Sequence, residues 1–400
     1  MAGFLDNKKR ITLASFLAYF VMSGMLAPIG IISGPMSALF GQSITDVTAQ
    51  FGWLTFGNLA GAALALVIFT FFQVRTVLGG AYLLIVASLL LLNFAGSLTT
   101  IGMSLGVVGV CSGLGLASAA LIISRIYVAE RRASMLVITD ACFSTAGFLC
   151  AAIATALVAA GLHWAGIYQF VAVIAAIIVV LTLISSFPDS QTGRAVAAPR
   201  ERWPLSYWLC VAALFLYTLG QYSMLWWLPN YAETRLGATV EQAGRLVTLF
   251  WIGLFVAQLF VAWLVLHLGV RKLVLASAVL TCLFSIPLWI SGELSMLQVF
   301  AFLWGFANLS LLKVVLSYAT QMVRQPTPRL VSTLLLGATL GTAVSPWVTS
   351  RIVVLTDNYF VLQFSTICYA ALATLLFAAV RLRRAMTAAA TLQHRHDRNP

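Results

Sequence analysis

Apolar runs, each about as long as a bilayer-crossing helix, recur twelve times along the chain and are parted by short polar breaks. A hydrocarbon core about 30 Å thick takes roughly 20 apolar residues at 1.5 Å rise each. Inside it every backbone polar group must be bonded internally, so such runs predict helices. The predicted spans are 11–34, 48–72, 77–94, 100–126, 134–160, 166–187, 205–231, 241–267, 272–291, 295–322, 330–352 and 359–381. One longer polar segment divides them into two sets of six. The expectation is an all-α integral membrane protein with 12 transmembrane helices in two pseudo-symmetric six-helix bundles. Its parts are an N-terminal bundle over 1–187, a linker over 188–204, a C-terminal bundle over 205–383 and a tail over 384–400. The linker, with Pro188, Asp189, Ser190, Gly193 and Pro199, reads as a flexible tether.

Composition agrees with the pattern: 61% hydrophobic and 8% charged residues in 400 leave too few ionic groups to solvate a soluble surface. The formal charge of +12 does not indicate nucleic acid, because the basic residues stand at span ends instead of forming a stripe with interleaved aromatics. Anionic head groups of the membrane lipid are the expected partners. The six cysteines all lie in apolar runs without CxxC spacing and read as small buried hydrophobes. Lys8, Lys9 and Arg10 before an apolar run imitate a signal peptide, but the run is too long and no A-x-A site closes it, so an uncleaved first helix is expected. With both termini cytoplasmic, 19 of the 23 basic residues fall on the inner side, and the exceptions are Arg235, Arg245, Arg351 and the intramembrane Lys313. The positive-inside rule selects that orientation.

The halves also repeat. At an offset of 196, Gly24 aligns with Gly220, Gly57 with Gly253, Arg75 with Arg271 and Gly109 with Gly305. Six helices per half make the repeats parallel, an arrangement found in transporters with a substrate site between the halves near mid-bilayer.

Six plus six helices, an inner central loop and a lone arginine at the two-three turn (Arg75) and the eight-nine turn (Arg271) resemble the major facilitator superfamily. Tyr217-Thr-Leu-Gly220-Gln221, Trp227-Leu-Pro229-Asn230-Tyr231-Ala232, Ala243-Gly244, Phe250-Trp251 and the run from Asp140 through Ser144 to Gly147 resemble the TsgA-type branch, related to fucose/galactose proton symporters. The resemblance implies secondary transport in a bacterial inner membrane, with spans 1, 4, 7 and 10 around a central cavity and proton coupling as the default. The family's inner-loop motif G-x-x-x-D-R-x-G-R is reduced here to Arg75 and to Arg271-Lys272 after Gly269, without the acid. The membrane-embedded acids that fucose-type symporters carry in spans 1 and 4 are absent from this chain, so those proton sites do not carry over.

Two charges lie inside the spans. Lys313 stands about two-thirds along span 10, where an ammonium costs roughly 2.5–3.5 kcal/mol on insertion scales. Ser310, Lys313, Ser317 and Thr320 share a helix face, which predicts that this face looks into the bundle. The functional reading is an anion anchor, a proton-sensitive group or half of a gate pair; the other reading is a lysine snorkelling to the boundary. Asp140 lies about two turns into span 5 and shares a small, polar face with Ser144, Gly147 and Ala151. It is a candidate proton carrier meeting Lys313 across the halves in one state. Alternatively it is an acid near the helix N-terminus stabilised by the helix dipole and by Arg131 or Arg132, a structural staple.

Span 7 offers Gln221, Tyr222, Trp226, Trp227 and Asn230, aromatic faces and amides suited to a polar solute, although tryptophans near a span end also serve as interfacial anchors. Asn58, Ser144, Asn308 and Trp304 complete the candidate substrate-binding set. Arg75, Arg125 and Arg271 are the candidate inner gate, with Arg125 equally readable as a topology signal. Gly113-Leu-Gly115 is not a phosphate loop, lying inside an apolar span without the following Lys-Ser/Thr. No Ser/His/Asp or metal-ligand cluster emerges, so the expectation is no enzyme, no metal and no cofactor.

The reading is a secondary active transporter of a small, sugar-like solute, proton-coupled and working by alternating access as a monomer. Its partners are the solute, a coupling ion and membrane lipid, with no nucleic acid. The alternatives are proton-driven efflux of a toxic or amphipathic compound, and a membrane sensor or scaffold that no longer transports.

Overall fold

The computed structural model describes residues 2–187, 203–309, 311–322 and 328–396. Most of the linker, Ser310, Arg324 and the end of the tail lie outside the described residues, as do the side chains of Arg131, Arg132, Arg329 and Arg395. Among the described residues the chain is helical throughout and holds no strand. In the first half, α1 (Ala2–Leu26) and α2 (Ile29–Phe40) are followed by α3 (Ile44–Ile68), α4 (Val74–Leu91), α5 (Leu98–Ile126), α6 (Ala129–Ala159) and α7 (Gly166–Leu183). In the second, α8 (Leu205–Leu236), α9 (Val240–Leu268), α10 (Val270–Ser285) and α11 (Pro287–Ile290) precede α12 (Leu294–Ala307), α13 (Leu311–Thr320), α14 (Pro328–Leu355) and α15 (Asn358–His396). Eleven helices are long and apolar enough to cross a bilayer, and the bent pair α1–α2 makes a twelfth. The protein is a multi-pass membrane protein.

Several span limits differ from the expectation. Span 1 runs on to Phe40 and bends by 48° between α1 and α2, where Pro28 lacks the N–H that a continuous ladder needs. Span 7 passes through Pro229 without a break and ends only at Gly237, whose left-handed φ of 64° suits a residue without a Cβ. Span 10 is described as α12 up to Ala307 and α13 from Leu311, with Leu309 at a φ of 41°. That conformation is costly for a side-chain-bearing residue and such strain clusters at functional sites; it lies four residues before Lys313. The last helix extends past the predicted 381 to His396.

Packing repeats between the halves. In the first, α3 and α5 pack closely; in the second, α9 and α12 do the same. Glycines make these approaches backbone to backbone. A Cβ on Gly57 would sit 2.5 Å from the Gly106 carbonyl and one on Gly109 would overlap that of Leu54, while Gly253 and Gly305 face the carbonyls of Phe302 and Phe250. Phe302 and Phe250 stand 196 residues after Gly106 and Leu54, so the offset seen in the sequence reappears in which atoms touch. The halves meet along two symmetry-related helix pairs, α3 with α14 and α6 with α9, and through α2 against α8.

Candidate functional site

Between the halves lies a cavity of about 260 Å³. Tyr19 and Met22 of α1, Asn58 of α3, and Asp140, Phe143 and Ser144 of α6 form its wall from the first half. Tyr217, Gln221 and Tyr222 of α8, Trp251, Leu254 and Gln258 of α9, Lys313 of α13 and Thr342 of α14 form the other. The polar members are those that an apolar span exposes only where a neighbour or solvent replaces lipid.

Asp140 Oδ1 and Lys313 Nζ stand 3.2 Å apart. One belongs to each half, so the structure brings together the two charges that the sequence places inside spans. The Lys313 side chain is 42% exposed and that of Asp140 23%, and both line the cavity between the halves. One turn beyond Asp140, Ser144 Oγ accepts a 2.8 Å hydrogen bond from Gln258 Nε2, again across the seam. Phe143 meets Trp251 edge-on at 5.8 Å, and Gly147 faces the same indole where a Cβ would collide with it. The small residue that the stripe 140–144–147 offers is thus used to admit a tryptophan from the other half.

The end of the seam away from the termini is sealed. Trp226 Nε1 donates to the Leu26 carbonyl at 3.0 Å, and Gly30 lies against the Trp226 backbone. Trp347 Nε1 donates to the Ala49 carbonyl at 3.1 Å over Gly52, Ser350 Oγ to Thr45 at 3.0 Å, and Thr55 Oγ1 to Ala343 at 3.1 Å.

Of the other expected site residues, Asn58, Gln221 and Tyr222 line the cavity, whereas five do not in this conformation. Trp226 is held in the seal. Trp227 is 1% exposed in the core. The amide oxygen of Asn230 accepts from Asn358 Nδ2 at 2.8 Å. Asn308 donates to the Trp304 carbonyl at 2.7 Å, and the Trp304 ring packs on Phe250 at 4.2 Å. Arg75 spends its guanidinium inside its own half, donating to the carbonyls of Thr182 (3.2 Å) and Leu183 (2.7 Å). Arg125 is exposed in the last turn of α5, and Arg271 lies at the far end of the second half, away from the seam pair.

Tyr19, Trp251 and Gln258 were not singled out as site residues by the sequence reading. Trp251, Leu254 and Gln258 follow at spacings of three and four, which puts them on one face of α9. An amide deep in span 8 on the face of an aromatic was the available signal. Three polar atoms on this wall have no hydrogen-bond partner among the described residues: Asn58 Oδ1, Gln258 Oε1 and Trp251 Nε1. Buried polar groups are nearly always satisfied, and these two acceptors and one donor lie covered just behind the cavity surface.

Comparison with known proteins agrees with this architecture. The family description of the Major Facilitator Superfamily matches residues 11–244 and 210–397. A TsgA homolog of Edwardsiella ictaluri is 27% identical over 87% of this chain and 89% of its own length, and the TsgA protein of Shigella flexneri is 26% identical over the same shares. Among solved structures, a variant of the nucleoside transporter NupG superposes with a TM-score of 0.74 at 13% identity, covering 93% of this chain and 99% of that one. A bacterial homolog of the human lysosomal transporter Spinster, inward-facing and occupied, gives 0.68 at 16% identity over 94% and 96%. The chain belongs to the major facilitator superfamily, similar over most of its length to the TsgA proteins, and is a secondary transporter of a small solute.

Proposed function

We propose that the protein is a proton-coupled symporter of a small, sugar-like or nucleoside-like polar solute in a bacterial inner membrane, with both termini cytoplasmic. The observation that carries this reading is the Asp140–Lys313 contact of 3.2 Å on the wall of the cavity between the halves. A carboxylate and an ammonium this close hold each other only while both are charged. Protonation of Asp140 removes the attraction and frees both halves to part at the terminal end; loss of the proton restores it. Residues 1–187 and 205–383 act as the two rocking units and 188–204 as their tether. Ring faces of Tyr222 and Trp251 cover the apolar side of a solute, while the amides of Asn58 and Gln258 bond its hydroxyls. The similarity to a protein described as a nucleoside transporter points the same way.

Purified protein is screened by thermal shift against hexoses, nucleosides and amphipathic cations, and each hit is followed by uptake into proteoliposomes under an imposed pH gradient. Accumulation of a hydroxyl-rich solute driven by the gradient, lost in Asp140→Asn with solute exchange retained, is the expected result. Wild-type rates and unchanged pH dependence in both Asp140→Asn and Lys313→Ala would end the coupling assignment. The wall also carries Met22, Leu26, Leu116, Phe143, Leu254 and Leu312, and stabilisation by amphipathic cations alone would replace uptake with proton-driven efflux.

A further inference from the structure

The repeat that pairs Arg75 with Arg271 gives the two arginines different surroundings. In the first half α7 ends at Leu183, and its last carbonyls, which have no partner inside the helix, accept from Arg75. The positions 196 residues later, Ala378 and Ala379, lie in the interior of α15, which continues to His396 and engages its own carbonyls in the helical ladder. Arg271 is left facing a pocket of about 590 Å³ enclosed by the ends of α9, α10, α13 and α15. Lys272, Arg383 and Arg384 also line it, and no carboxylate does among the described residues. Arg383 donates to the Gln321 carbonyl and lies over the Tyr318 ring at 5.4 Å, which fixes one of the four cations in direction.

Beside the cations, Gln321 and Tyr318, the pocket has an apolar side. Leu268, Val270 and Val380 line it, and Leu268 is 43% exposed. One turn before Val380, Phe377 is exposed beneath the guanidinium of Arg381, at 4.4 Å from its ring centroid. A concentration of positive charge at the end of membrane-crossing helices, with an apolar floor continuing along the lipid-facing surface, matches a molecule that is anionic at one end and hydrocarbon at the other. We infer that this pocket binds the phosphodiester headgroup of an anionic phospholipid, with its acyl chains lying along α9 and α15. A soluble phosphate shares the headgroup chemistry but makes no use of the apolar floor.

The test is native mass spectrometry of the full chain released from detergent after incubation with cardiolipin, phosphatidylglycerol or phosphatidylcholine, each with and without inorganic phosphate. Wild-type protein is expected to retain the anionic lipids over phosphatidylcholine. Occupancy falls roughly fivefold for each cation removed in Arg271→Gln with Lys272→Gln and in Arg384→Gln alone, and stays unchanged in Arg351→Gln at the opposite end. Equal retention by wild type and by the folded Arg384→Gln variant overturns the assignment, as does release of the lipid by millimolar inorganic phosphate, which would make the ligand a soluble anion.

Discussion

The two ends of the seam between the halves are joined by different chemistry. Away from the termini, indole and hydroxyl donors reach backbone carbonyls across the seam, and glycines let the opposing surfaces approach. Toward the termini the contacts are between side chains, the ion pair Asp140–Lys313 and the hydrogen bond Ser144–Gln258. Neither an indole N–H nor a carbonyl changes charge at any physiological pH, so the first closure responds to shape alone. The second contains a carboxylate and responds to protons.

The contrast is most strongly broken at Gly30. A Cβ there would stand 2.5 Å from the Trp226 carbonyl, against backbone that cannot yield as a side chain does. Gly30→Val is expected to disfavour the seal by about 1–3 kcal/mol, roughly 5- to 150-fold, read as faster thiol labelling of Thr342→Cys on the cavity wall behind it. Removing the ion pair comes next. Lys313→Ala leaves a carboxylate without its partner, but the partial exposure of the pair reduces the effect to about 1–2 kcal/mol, between the exposed and buried limits. Pulsed spin-label distances across the terminal end should widen in this variant and on acidification of the wild type, and should become insensitive to pH in Asp140→Asn.

Smaller changes sharpen the same comparison. Trp226→Phe keeps an aromatic side chain but deletes the donor to Leu26 and one ring of a buried indole, so the seal weakens by at least about 1 kcal/mol with no new pH dependence in the labelling assay. The smallest effect is expected at Arg75. Because its bonds stay within one half, Arg75→Gln should lower thermal stability by about 0.5–1 kcal/mol while leaving the spin-label distances as they are. A shift in those distances would restore Arg75 to the gate role that its position in the two-three turn suggested.

Some of the site was readable from composition along the chain. Asp140 and Lys313 stand out because a charge in an apolar span is costly wherever the span packs, and Asn58, Gln221 and Ser144 for a weaker form of the same reason. The tryptophans were not readable. Trp226, Trp227 and Trp251 have the same residue type in similar apolar surroundings, yet one closes the seal, one fills the core and one lines the cavity. Which of these an indole does depends on helix rotation, and an apolar ring is compatible with every rotation. Asn230 and Asn308 stand off the cavity wall in this conformation, the first bonded to Asn358 from a distant helix and the second donating to the carbonyl one turn before it.

By itself the sequence determined the number of spans, their division into two sets of six, the repeat at 196 residues and the two charges that must leave lipid. These follow from the length of an apolar run against a hydrocarbon layer and from the cost of a lone charge in it, both local quantities. Only the tertiary structure decided that Asp140 faces Lys313, that the end of the seam away from the termini is shut, and that span 1 bends between α1 and α2. Those outcomes depend on how helices far apart in the chain rotate and settle against each other, and the energies that choose among rotations are sums over contacts that no single segment contains.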